Sequence, residues 1–194
     1  MEGGGNREYI VSTTIDFEKV RAFIQKIEAF MVNDIQAAIE GKANFLAALG
    51  LLDYTEILGG IVSGNLIKPP EGWSKEDNFK VFLPYLDTTY QSSNKQPYQD
   101  LNNHLKKLNK SIYGKVRSGL VHQYLLSQTG EIRMTERRGD DCGIMIDSHG
   151  SITFVVQRYF CDFRAGLAKY KEDLLHKQVQ KLLEVICKIP MDKI

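Results

Sequence analysis

The 194-residue sequence predicts a mainly α-helical protein: an up-and-down helical bundle with a small β-hairpin insertion before its last helix. Three observations carry this expectation. Apolar residues recur at helical spacing over most of the chain, as in Val20, Phe23, Ile24, Ile27, Phe30 and Met31. A second tract, residues 43–61, is apolar nearly all round, which marks the central helix of a bundle. Near residues 132–156 the period changes to alternation, and helical spacing then returns.

In chain order, residues 10–13 are a short β-prone piece. Asp16 is placed to cap the first helix, its carboxylate accepting the free N–H groups of the first turn. That helix continues through Ile35 and Ala38 and ends near Gly41. The second helix carries Phe45, Leu46, Ala48, Leu49, Leu51, Leu52, Ile57 and Leu58, with Gly50, Gly59 and Gly60 expected to limit or bend it. The Pro and Gly of residues 68–74 require a loop. A third helix is expected over residues 75–90, with Phe79, Phe82, Leu83 and Leu86 inward. Residues 91–97 read as a polar turn and residues 99–108 as a shorter, wetter helix. The next helix has apolar residues at Ile112, Val116, Leu120, Val121 and Leu125. Residues 132–136 alternate, residues 137–143 form a loop, and residues 144–156 read as a hairpin turning at 148–150. From residue 158 to 188 the helical pattern returns through Phe160, Phe163, Leu167, Tyr170, Leu174, Val179, Leu182, Leu183 and Ile186. No internal repeat and no linker interrupts this order. The expected organisation is a disordered N-terminus over residues 1–8 and a single helical domain over residues 9–190.

Composition narrows the function classes. Hydrophobic residues make up 43% and charged residues 25%, an ordinary globular balance. Lys and Arg total 25 against 24 for Asp and Glu, a net charge of +1. No global field draws the chain to nucleic acid, so any RNA contact must use a local patch. Cys142, Cys161 and Cys187 have no spacing that suggests a metal or a disulfide frame, and read as reduced thiols. The four His residues show no metal-ligand spacing, so neither a metal site nor a cofactor is expected. No basic-then-apolar leader opens the chain, and no apolar run reaches the ~20 residues that span a bilayer. A cytoplasmic protein without a membrane partner is expected.

One stretch reads as chemistry rather than packing. Arg117-Ser-Gly-Leu-Val-His122-Gln-Tyr124 sets an Arg, a His and a Tyr within an apolar helical pattern. On a regular α-helix, positions five apart lie about 140° apart, so Arg117 and His122 would not share a face. Two copies meeting about a twofold axis could still bring one copy's Arg to the other's His. Gly119 fits a close approach there, since Gly inside a helix costs about 1 kcal/mol relative to Ala. Lys106, Lys107, Lys110 and Lys115 lead into the motif, either as a track for a phosphate backbone or as a solvated helix face. Asp53 and Glu56 interrupt the apolar second helix, and buried acids need partners. Glu56 is placed to pair with Arg117 and fix its guanidinium; the alternative is that both acids face solvent near a helix end.

The R-x4-H-x-Y pattern of Arg117, His122 and Tyr124 resembles the signature of the HEPN superfamily, over about residues 113–125. Members are small helical bundles, and many are metal-independent ribonucleases. The resemblance implies a homodimer with a composite site and an RNA substrate whose own 2′-OH attacks the adjacent phosphorus. His122 is then the general base or acid, and Arg117 stabilises the phosphate charge. Ser118, where the superfamily often has Asn or Asp, orients substrate or His122. Tyr124 stacks or hydrogen-bonds nearby. Lys110, Lys115 and Glu56 complete the expected substrate-binding set. In the toxin branch the matching Tyr is modified by a partner nucleotidyltransferase antitoxin. The β insertion points to a larger, stand-alone branch. The competing expectation is a non-catalytic module that binds RNA, a nucleotide or a protein.

Overall fold

A computed structural model describes residues 17–67, 69–86, 97–107, 112–117, 130–147, 149 and 151–173. The elements are α1 (Phe17–Glu40), α2 (Asn44–Ser63), α3 (Lys75–Leu86), α4 (Pro97–Lys107), a π-helical turn (Tyr113–Arg117), β1 (Gly130–Arg133), β2 (Ile144–Ile146), β3 (Ile152–Val155) and α5 (Val156–Asp173). The chain is mainly helical, with a small three-stranded sheet before its last described helix.

The nearly all-round apolar α2 is the centre of the bundle. It packs on α1, α3 and α5, and it also touches β1 and the π turn. Leu51, Leu52, Ala47, Ala48 and Thr55 along it are fully enclosed. Gly50, Gly59 and Gly60, expected to limit or bend this helix, all lie inside it. Gly59 is there because α3 comes close: a Cβ at that position would sit 1.7 Å from the Asn78 carbonyl oxygen. The helix instead ends at Gly64, a left-handed cap whose N–H donates to the Ile61 carbonyl.

Local chemistry sets the other boundaries. After α1, Gly41, Lys42 and Ala43 turn back to the carbonyls of Ala37, Ile39 and Ala38. At the start of α3, Ser74 Oγ accepts from the Asp77 N–H, and Asp77 Oδ2 accepts from the Ser74 N–H at 2.9 Å. This is a reciprocal cap. Pro97 opens α4 at the position where a missing N–H costs nothing. Tyr98, Leu101, Asn102 and Leu105 then form its buried stripe. Residues 10–13, Asp16, 87–90 and 174–188 lie outside the described residues.

The insertion is more than a hairpin. β2 and β3 pair antiparallel, as the alternation and turn predict, but β1 adds to the far side of β3 in parallel. The strand order β1-β3-β2 needs a crossover, and the 134–143 loop supplies it. Arg133 Nη2 bonds both oxygens of Asp140 at 2.8 and 2.9 Å, and the Arg137 N–H donates to Asp140 at 2.7 Å. Asp140 is therefore a clasp for the crossover. β3 runs straight into α5, and Phe154, Tyr159 and Phe163 carry the core across the junction.

Candidate functional site

The described chemistry of the motif gathers where α2, α3 and the π turn meet. Asp53 and Glu56 are three apart on α2 and so project from one side of it. They meet Arg117: its Nε lies 3.1 Å from Asp53 Oδ1 and 3.8 Å from Glu56 Oε2. Glu56 also accepts the Tyr113 hydroxyl proton at 3.1 Å and lies 3.9 Å from Lys75 Nζ. Tyr113 stands on the same π turn as Arg117, and the guanidinium carbon is 5.7 Å from its ring centre. Phe79 of α3 packs tilted against the same ring, with centroids 5.8 Å apart. Arg117 is 19% and Glu56 13% exposed, so the guanidinium is held at a half-sheltered edge that solvent still reaches.

Electrostatics follow from this arrangement. Burial, then the Glu56 charge, pushes the Tyr113 hydroxyl up to about 12, with Arg117 acting the other way. The phenol therefore keeps its proton and remains the donor to Glu56. Two cations, Arg117 and Lys75, face two carboxylates, so the cluster is neutral as a whole. The pairings to Arg117 run through Nε, the side edge of the guanidinium. They orient its plane, and a planar fork is suited to phosphate recognition.

Of the sequence-predicted site residues, the structure brings Arg117 and Glu56 together. Ser118, His122, Tyr124 and Lys110 lie outside the described residues, as does the side chain of Lys115 on the π turn. Asp53 and Glu56 lie mid-helix, away from the helix end that the solvent-facing alternative required. Arg117 does not belong to regular α-helix: residues 113–117 form a π turn, with i→i+5 bonding. The 140° separation from His122 assumes regular geometry that Arg117 does not have. Tyr113 and Lys75 were missed. Tyr113 had a legible signal, since it lies four before Arg117 on a helical pattern; Lys75 had none.

Elsewhere, His104 is exposed on α4 and His149 sits in the β2–β3 turn, where its N–H donates to Asp147. Among the described residues, no group of three or more His, Cys, Asp or Glu is placed to hold a metal ion. Burial pushes the Cys142 thiol up to about 12, while Cys161 is exposed. Of the described helices, α2 alone is long and apolar enough to cross a membrane, and half of that stretch is buried inside the bundle. No protein-family model, no curated protein and no solved structure matches this chain.

Proposed function

We propose that the protein is a metal-independent endoribonuclease of HEPN type, acting in the cytoplasm as a homodimer. The observation that carries this reading is the anchoring of Arg117, the first residue of the R-x4-H-x-Y motif, by Asp53 and Glu56. A fixed, permanently charged fork is what a reaction that builds negative charge on a phosphate requires. Its place on a π turn adds support, because such turns occur frequently at functional sites.

In this reading the substrate 2′-OH loses its proton to the base and attacks the adjacent phosphorus. The bond to the 5′-oxygen breaks, and that oxygen takes a proton from the acid. His122 serves one or both steps, which suits an imidazole titrating near neutral pH. Arg117 stabilises the equatorial oxygens, Ser118 and Tyr124 orient the site, and Lys110 and Lys115 track the backbone. No cofactor enters the scheme. A nucleotidyltransferase antitoxin acting on Tyr124 would be the regulatory partner.

The second reading is a non-catalytic module that binds RNA, a nucleotide or a protein. The observation favouring it is the neutral cluster: two carboxylates offset the charge that Arg117 would present to a phosphate. One experiment separates the readings. Incubated with single-stranded RNA in EDTA, a ribonuclease of this type leaves 2′,3′-cyclic phosphate and 5′-OH ends. Cleavage that vanishes on chelation and returns with Mg²⁺ would sink the mechanism. Binding without cleavage would favour the module.

A further inference from the structure

Phe30 is 60% exposed in the middle of α1, although the helix has a full buried stripe without it. Its ring is held edge-on by Tyr54 of α2, with centroids 6.2 Å apart. Tyr54 is itself pinned, donating its hydroxyl proton to Asp34 at 2.6 Å. A large apolar ring is thus fixed in an outward position. On the same face of α1, Lys26 lies four residues before Phe30 and Asp34 four residues after it. Both are exposed, as are Asn33 and Ala37 beside them.

This face is complementary to itself in one orientation. If two α1 helices cross antiparallel with Phe30 on the twofold axis, residues equally far on either side of Phe30 meet. Lys26 then faces the partner's Asp34, and Asp34 faces the partner's Lys26. Phe30 packs on the partner's Phe30. The parallel arrangement would set Lys26 on Lys26 and Asp34 on Asp34, which repel. An i, i+4 row of this kind is the ridge that commonly interlocks between packed helices. Asp34 can serve both Tyr54 and a partner lysine, because a carboxylate accepts several bonds.

We propose that the α1 face centred on Phe30 is an antiparallel twofold contact between two copies of this chain. It goes beyond the ribonuclease reading and does not depend on it. If motif helices also met about a second twofold, the chain would assemble beyond a dimer, and a test confined to α1 still reads this face alone.

The test uses the full chain with Cys161 and Cys187 changed to Ser. Phe30→Cys should oxidise to a disulfide-linked dimer, because only a residue on the axis meets its own copy within bonding distance. Gln25→Cys, exposed on another side of α1, should not. Lys26→Asp should weaken self-association by about tenfold, the loss of two surface pairs. Adding Asp34→Lys should restore it by reversing both charges. Circular dichroism on each variant checks that the helices remain. Cross-linking at position 30 no faster than at position 25 overturns the proposal. So does a double charge reversal that associates no better than Lys26→Asp alone.

Discussion

Arg117 is gripped along one edge by Asp53, with Glu56 behind it and Tyr113 beneath, so its loss tests both the proposed chemistry and the packing. Arg117→Ala and His122→Ala should each reduce RNA cleavage by ~10²–10⁴, the usual contribution of a positioned proton-transfer or charge-stabilising group. Helical content by circular dichroism should change little. Arg117→Lys should also fail, because an ammonium lacks the planar fork. Two alanine variants that fold and cleave like the parent would remove the motif from the function. Unfolding of both would make it structural. The Arg117–Glu56 pairing was legible in the sequence because an acid in an apolar helix demands a partner and Arg117 was the cation most in need of a fixed position. Asp53 as the nearer partner was not legible: a difference of 3.1 against 3.8 Å depends on how α2 is rotated against the π turn.

Among the elements, α3 depends on its cap and on its fit to α2. Ser74→Ala removes the side chain that holds the Asp77 N–H and should cost about 1 kcal/mol in urea unfolding. The Ser74 bonds hold the Asp77 carboxyl below its usual value. Because the folded-state value is the lowered one, this stabilisation is present above the unfolded carboxyl value and disappears as pH falls through the folded one. The gap between wild type and Ser74→Ala should therefore narrow in acid; a gap that widens would contradict the assignment. Gly59→Ala brings a methyl against the Asn78 backbone, an overpacking that should cost at least about 1–3 kcal/mol. A neutral Gly59→Ala would show that α2 and α3 do not approach as closely as described. The helical period identified α2, but its glycines looked like breakers. Whether a Gly ends a helix or admits a neighbour depends on what lies across from it.

For the molecule as a whole, the sheet must be fastened to the bundle, and a buried polar knot does this. Tyr98 of α4 donates to Asp162 of α5 at 2.6 Å and accepts the Gly143 N–H at 2.8 Å. Arg158 lies 3.2 Å from the same carboxylate, which is fully enclosed. Burial keeps the Tyr98 hydroxyl protonated, so it stays the donor. Tyr98→Phe would remove one donor from the buried Asp162 carboxylate and the acceptor of the Gly143 N–H, and should cost ~1–3 kcal/mol by denaturant titration. Amides of β2 should lose exchange protection before those of α2. Loss of protection at both together would mean that the sheet and bundle unfold as one unit and that the knot is not a separate fastening.

Local patterns in the sequence determined that the chain is helical, that α2 is central, that a β2–β3 hairpin turns near residues 148–150, and that an R-x4-H-x-Y motif follows α4. Each of these depends on residues within a turn or two of one another, where period and capping chemistry act directly. Tertiary structure alone decided that β1 joins β3 in parallel, that Asp140 clasps the crossover, that Gly59 admits α3, and that Asp53 is the nearer acid to Arg117. These depend on pairs far apart in the chain, such as Asp53 and Arg117 or Tyr98 and Asp162. Their distance is set by how whole elements rotate and pack, and no local pattern encodes it.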